Sequence, residues 1–263
     1  PNKDPLGVVL IVDDVTDIRR LERMRSDFAA NVSHELRTPI TSIQGYAETL
    51  EELGPDDLEK SARFLSIIRR NADRLGVIIE DLLTLASLEG PGQLEDASLD
   101  MMSLQHLYVE LRDRMKQSAT QQGVTLAFEG DEGLQFQSKG NLIVEALSNL
   151  VSNAIRYGPD SGCVTVTASR DEDHIRFVVQ DEGPGIPERH IPRLFERFYR
   201  VDTARSRSAG GTGLGLAIVK HIALAHGGEI SVQSEMGVGS TFTLQIPHRT
   251  DERPISNDSH IIS

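Results

Sequence analysis

His34, Glu35, Thr38 and Pro39 stand together in FAANVSHELRTPITSI, a segment whose apolar residues otherwise recur at helical spacing. With Val32 and Leu36 as core-facing positions, His34 falls two residues from each and points away from the seam toward solvent. An exposed imidazole is an available nucleophile. Glu35 beside it can accept a hydrogen bond from Nδ1–H, which fixes the tautomer and leaves the Nε2 lone pair for a phosphoryl group. Thr38, one turn on, lies on nearly the same face and can orient a water. A helix built only for packing would not hold Pro39, because proline has no N–H for the carbonyl of Glu35 and crowds that turn. A lone surface histidine is ordinarily mere polar surface, but these neighbours give this one a task.

A second set of residues can supply the phosphate. In EALSNLVSNAIRYG, Glu145, Asn149 and Asn153 fall at successive i, i+4 positions on one helix face. Asparagine offers Mg²⁺ an uncharged oxygen without repelling phosphates, and Arg156 and Tyr157 add donors. In QDEGPGIP, Asp181 ends a strand and runs into Gly183 and Gly185. That is a carboxylate able to accept from an adenine amino group beside a backbone flat enough to admit the ring. In GGTGLGLAIVKHI, the stretch Gly211, Thr212, Gly213, Leu214, Gly215 precedes a helix, so backbone N–H groups and the positive helix end can receive phosphate oxygens. Between the two glycine motifs, LFERFYRVDTARSRSA has the composition of a mobile lid whose Arg200 can meet a terminal phosphate. GVGSTF offers Thr241 on a closing strand. Each motif alone has a plainer reading, as surface polarity, a common turn or a hinge.

Several elements must hold these residues. From Ile18 the apolar series Ile18, Leu21, Phe28, Val32, Leu36, Ile40, Ile43, Ala47, Leu50 predicts one long amphipathic helix. After GPDD a second runs Leu58, Ala62, Leu65, Ile68, Ala72, Leu75, Ile79, Leu82, Ala86, close to a heptad repeat. The two form an antiparallel hairpin whose apolar face one hairpin cannot bury. Pairing two copies into a four-helix bundle solves this, so a homodimer is expected; the alternative is a hairpin packed on its own downstream domain. Beyond the polar break EGPGQLEDASLD, helices (104–119, 141–157, 215–226) alternate with VTLAFEG, CVTVTAS, HIRFVVQD, EISVQSE and STFTLQIP. This predicts an α+β sandwich with helices on one face of a mixed sheet. The expected divisions are 1–17, the end of an upstream domain; 18–90, the hairpin; 91–102, a linker; 103–249, the second domain; and 250–263, a disordered tail.

Composition narrows the field. The 263 residues, 38% of them hydrophobic, suffice for two modest cores. A balance of 27 basic against 40 acidic residues, net -13, argues against nucleic acid and against an anionic membrane surface as partners. The single cysteine, Cys163, cannot form an intramolecular disulfide; it reads as a small buried hydrophobe in a reducing, cytoplasmic compartment. The longest aliphatic run, VVLIV, falls far short of the ~20 residues of a membrane-spanning helix. The abrupt start is read as the last strand of an upstream domain, so the chain is expected to be a piece of a longer protein whose upstream part can hold membrane spans.

Taken in order, His-Glu-x-x-Thr-Pro, Asn-x-x-x-Asn, DxGxG, the Phe cluster, GxGxG and GxGSTF resemble the bacterial two-component sensor histidine kinases, from about Val12 to Pro247. The wording NVSHELRTPITSI and RFYRVDTARSRSAGGTGLGLAIVKHI is most similar to the phosphate-responsive PhoR-type kinases, and the leading GVVLIVDDVTDIRRLE resembles the end of a PAS sensor domain. The resemblance implies a HisKA dimerisation and phosphotransfer hairpin followed by a HATPase_c domain of the Bergerat, GHKL type, using ATP and Mg²⁺. His34 would be the phosphoacceptor, Glu35 its base and Thr38 a phosphatase residue. Asn153 would be the principal Mg²⁺ ligand with Asn149 beside it, and Asp181 the adenine reader, helped by Thr241. The partner implied is a response-regulator receiver domain. Two other readings remain: an ATP-sensing dimer without phosphotransfer, and an ATPase or serine kinase on the same nucleotide fold.

Overall fold

The computed structural model describes residues 13–53, 57–89, 99–131, 133–139, 141–201 and 211–248. Residues 1–12 of the predicted upstream-domain end, the polar tail and the second half of the predicted lid, 202–209, lie outside these residues. The chain divides into two compact units, Pro1–Leu75 and Gly76–Ser263.

In the first unit, helix α1 (Thr16–Glu52) pairs with the leading half of α2 (Leu58–Glu89). Glu35 meets Arg74, Ser42 meets Asn71 and Tyr46 packs on Phe64, so residues advancing along one helix meet residues receding along the other, as in an antiparallel hairpin. Pro39 lies inside α1 and is buried. The strip of α2 that meets α1, through Phe64, Asn71 and Arg74, is not the predicted heptad series. Leu58 (77% exposed), Leu65 (56%) and Ile79 (49%) stay open, with Ala62, Ala72 and Ala86. Ile40 of α1, expected in the seam, is also open. A helix in a bundle touches two neighbours and carries two adjoining apolar strips; periodicity finds a strip without saying which neighbour covers it.

The second unit is a five-stranded mixed sheet covered on one face by helices. The strands are β2 (Thr125–Gly130), β4 (Cys163–Arg170), β5 (His174–Asp181), β6 (Glu229–Glu235) and β7 (Gly239–Pro247), in the order β2-β4-β5-β7-β6. Only β2 and β4 pair in parallel. Strict alternation buries Val164, Val166, Ala168, Ile175, Phe177, Val179, Phe242, Leu244 and Ile246 on the helix-covered face. Helices α3 (Leu104–Gln122), α4 (Leu142–Tyr157) and α5 (Gly215–Ala225) supply Leu107, Leu111, Leu147, Val151, Ile218 and Ile222 to the same core. Cys163, expected as a buried hydrophobe, is only half-buried. Its neighbours in the alternation, Thr165 and Thr167, look out from the other face, and its Sγ lies 4.0 Å from the Thr165 hydroxyl.

Two strands were not foreseen. The last three residues of the predicted linker, 100–102, and Ser103 form β1 (Asp100–Ser103), antiparallel to β3 (Gln135–Ser138). Four-residue strands reading DMMS and QFQS carry too little period to be seen in sequence. Phe136 of β3 packs edge-on against Phe177, centroids 5.1 Å apart, which ties this ribbon to the main core. Ser103 caps α3 by accepting from the His106 N–H at 3.2 Å.

His226, at the C-terminal end of α5, closes the other side of the core. Its Nδ1–H donates to the Ile222 carbonyl at 2.8 Å while Nε2 accepts from the Lys139 N–H at 3.1 Å, so both nitrogens are used by a neutral ring. Burial holds its pKa below the ordinary histidine value, with the Lys139 charge acting the same way and the Ile222 carbonyl opposing. Protonation would add a hydrogen at Nε2 and expel the Lys139 N–H. The folded state therefore binds fewer protons than the unfolded one as pH falls below about 6.5, and stability declines from there to the depressed folded value, then levels off. The expected result is a midpoint of urea unfolding that drops between pH 7 and 5.5 in the wild type. The slope flattens in His226→Gln, whose side chain does not titrate; an equal slope in both would place the effect on other groups.

Candidate functional site

A cavity of about 470 Å³ opens in the Gly76–Ser263 unit where α4, the end of β5 and the start of α5 converge. Helix α4 is buried on nearly all sides, and the strip left half-buried is Glu145, Asn149, Ser152, Asn153 and Arg156, the predicted i, i+4 face and its continuation. Asn149, Asn153, Arg156 and the exposed Tyr157 line the cavity. Asn149 Nδ2 donates to the Glu145 carbonyl at 3.1 Å and weakly to its carboxylate at 3.4 Å, which leaves Oδ1 as an acceptor turned to the start of α5. A Cβ on Gly215 would come within 2.6 Å of that oxygen, so a side chain there would push the Asn149 amide out of this position.

Asp181 closes the far end on the helix-covered face of β5. Its Oδ1 accepts from the Gly183 N–H at 2.8 Å, and burial pushes its carboxyl above the usual range while N–H groups of Gly183 and Ser240 pull against that. Gly185, with φ +74°, lines the cavity too. The reason for its glycine differs from the one expected: a Cβ there would strike the Glu235 carbonyl of the β6–β7 turn, so the residue serves backbone packing more than admission of a ring.

The glycine-rich stretch forms a cradle. A Cβ on Gly211 would lie 2.9 Å from Arg156 Nη1, 3.5 Å from the Tyr157 hydroxyl and 3.9 Å from Arg200 Nη2, so three donor side chains converge on a space that a side chain would fill. Arg200 lines the cavity with its guanidinium buried. Gly213 also lines it, with φ +76° and its carbonyl accepting from the Phe198 N–H at 2.8 Å. Leu214 does not behave as a ligand. Its side chain is fully buried in the core, and its N–H is taken by the Thr212 hydroxyl at 3.2 Å. Thr212 in turn donates to Asp81 of α2 at 2.7 Å.

Thr241 requires a correction. The cavity is lined by Ser240 and Phe242, its neighbours in β7, and Thr241 pairs with Gln180 and Gln233 on the opposite face of the sheet. Ser240 is the residue in register with Asp181. Counting alternate residues back from Phe242 would have found it. Asp81 was also missed; burial raises its pKa against the pull of Thr212, and no local pattern in α2 marks it.

On α1, His34 is exposed, and its imidazole has no hydrogen-bond partner among the described residues. The Thr38 hydroxyl donates to the His34 carbonyl at 3.2 Å. Glu35 does not meet the imidazole as expected. Neighbouring positions on a helix diverge by about 100°, and Glu35 turns to α2, where its Oε2 accepts from Arg74 Nη2 at 2.8 Å. No group of three or more His, Cys, Asp or Glu side chains gathers among the described residues.

Two domain families match the chain. Residues 24–91 match the His Kinase A (phospho-acceptor) domain, and 138–250 match the histidine kinase-, DNA gyrase B- and HSP90-like ATPase domain. The chain is 40% identical over 250 residues to the sensor-like histidine kinase SenX3 of Mycolicibacterium smegmatis, covering 95% of this chain and 64% of the relative. It is 40% identical over 238 residues to the phosphate regulon sensor protein PhoR of Pseudomonas aeruginosa, covering 89% and 53%. The chain thus spans between about half and just under two thirds of these relatives. Among solved structures, histidine kinase ThkA in complex with response regulator protein TrrA matches with a TM-score of 0.68 at 26% identity, over 92% of this chain and 70% of that one. Full-length ShkA in complex with AMPPNP matches at 0.62 and 28%, over 87% and 46%.

Proposed function

The chain belongs to the sensor histidine kinases, carrying their phospho-acceptor and ATPase domains in that order, and from this premise we propose that it moves the γ-phosphoryl group of ATP to His34 and then to an aspartate of a response-regulator receiver domain. The observation that carries this is the pairing of an exposed imidazole on one unit, without a hydrogen-bond partner among the described residues, with a donor-lined cavity on the other. In the cavity, Asp181 accepts from the adenine amino group, with the Ser240 hydroxyl on the neighbouring strand. The phosphates enter the cradle of Gly211 to Gly215, where Arg156, Tyr157 and Arg200 donate and the α5 N-terminus adds its positive end. The neutral oxygens of Asn153 and Asn149 suit Mg²⁺ beside phosphate, and the ion when bound would neutralise charge on the transferring group. The His34 Nε2 lone pair attacks phosphorus, and its Nδ1 proton passes to Glu35.

The open strip of Leu58, Leu65 and Ile79 supports pairing with a second hairpin, so the acting species is a homodimer. The ThkA–TrrA complex supports a receiver domain as partner, and the likeness to PhoR supports phosphate signalling. No helix among the described residues is long and apolar enough to cross a membrane; the two domains act in the cytoplasm, where ATP is, and any membrane anchor would belong to an upstream sensor region. The phospho-acceptor match over 24–91 favours phosphotransfer over mere ATP sensing or ATP hydrolysis.

Incubation with γ-labelled ATP tests the reading. A phosphoramidate is lost in acid and kept in base, whereas acid-stable label would make the chain a hydroxyl kinase. The nucleotide site has its own test. Asp181→Asn keeps an oxygen for the Gly183 N–H but turns a donor toward the adenine amino group, and an unmade buried hydrogen bond of this kind costs on the order of ten- to a hundredfold in affinity. ATP affinity should fall by that much with the fold intact; unchanged affinity would place adenine elsewhere.

A further inference from the structure

Glu35 faces two demands that one geometry does not meet. As the base for His34 it must reach the imidazole, yet its carboxylate is held by Arg74, with the two side chains 20% and 16% exposed. A charge-assisted bond so sheltered from water is stronger than an open surface pair. It is also incomplete. The guanidinium meets Glu35 through Nη2 alone, and Arg74 Nε is buried without a hydrogen-bond partner among the described residues. A fork-to-fork grip would have used two nitrogens. The backbone of the same residue is loosened, because Pro39 lies four positions on and cannot donate to the Glu35 carbonyl. Glu35 is thus tethered to α2 by its side chain at the point where α1 is least restrained.

From this we propose that Arg74 is a positioning residue that withholds Glu35 from His34, so that release of the Glu35–Arg74 pair admits the phosphoryl transfer. The proposal rests on Glu35 being the base. In the transfer, the Nε2–P bond forms as the bond from phosphorus to the ADP oxygen breaks, and the Nδ1 proton goes to the freed Glu35 carboxylate and then to solvent. While Arg74 holds that carboxylate, the proton has no acceptor in place.

A residue that merely supports the hairpin would lower the rate when replaced; one that withholds the base raises it. Autophosphorylation of the full chain is measured with labelled ATP. Arg74→Met should raise kcat on the order of three- to thirtyfold, the population gained by deleting one charge-assisted bond, with KM for ATP unchanged. Arg74→Gln, which keeps a polar head in the same half-buried place, should show the same sign, and Arg74→Lys should stay near wild type. The gain should vanish in Arg74→Met with Glu35→Gln. A kcat that stays level or falls in both folded variants overturns the proposal, as does unfolding of both, which would make Arg74 a structural brace. In those cases a crippled Glu35→Gln still keeps Glu35 as the base. If Glu35→Gln alone labels at the wild-type rate, the base lies elsewhere and the premise itself falls.

Discussion

His34→Gln is expected to bind ATP as the wild type does and to take up no label. The expectation has two halves with separate physical grounds. Label is lost because the amide that replaces the imidazole has no lone pair able to attack phosphorus, and nothing beside it can substitute: Glu35 is engaged by Arg74 and Thr38 presents a weakly nucleophilic hydroxyl. Binding survives because the cavity is lined by residues of α4, β5, α5 and β7, and because the His34 imidazole is exposed with no hydrogen-bond partner among the described residues. A surface change of that kind shifts stability by no more than about 0.5 kcal/mol. Label retained at the wild-type level would remove His34 as the acceptor, and ATP binding lost together with label would mean the variant had misfolded.

How much of this was readable from sequence depends on how far apart the interacting residues lie. The His34 face of α1 and the Asn149, Asn153 strip of α4 follow from period 3.6, and both stand where that period puts them. The five long strands followed from period 2. The same rule, carried one residue further, would have replaced Thr241 by Ser240; the motif was matched by letter where the pleat had already assigned the faces. Leu214 shows the converse, a residue inside a phosphate-binding pattern that serves the core because its own place in the turn points inward.

Other features had no local signal. Arg74 is 39 residues from Glu35 and Asp81 is 131 residues from Thr212, so each pair exists only once the chain has folded. Sequence offered Glu35 its nearest polar neighbour, and the structure gave it a stronger one across the hairpin. The heptad series of α2 is apolar as read, and α1 covers the adjoining strip while Leu58 and Leu65 stay open, on the face that one hairpin was expected to leave unburied. A repeat close to seven identifies a helix made for a bundle, and it takes coordinates to tell which strip belongs to the chain's own partner helix.

Thr38→Ala is expected to keep most autophosphorylation and to lose phosphatase activity toward the receiver domain by a factor on the order of ten to a thousand. Autophosphorylation uses an imidazole and a base, both before Pro39. Dephosphorylation of an aspartyl phosphate uses a water held in line with phosphorus. The Thr38 hydroxyl donates its one proton to the His34 carbonyl at 3.2 Å, which leaves its lone pairs to accept from a water and so to orient the oxygen of that water for attack. An alanine removes this acceptor while leaving the imidazole in place. Loss of the bond to the His34 carbonyl is cheap, since back-bonding of a threonine to the carbonyl four residues before it adds little to a helix. Thr38→Ser, which keeps the hydroxyl and drops the methyl, should retain most of the phosphatase rate. Both rates are to be measured on one preparation of each variant, with the receiver domain phosphorylated beforehand. If Thr38→Ala lowers both rates equally, the hydroxyl shapes the turn that carries His34 and has no separate part in handling water; if Thr38→Ser is as poor as alanine, the methyl and its packing carry the effect. A selective loss rescued by serine leaves one surface of α1 with two activities, divided between residues one turn apart on either side of the bond that Pro39 removes.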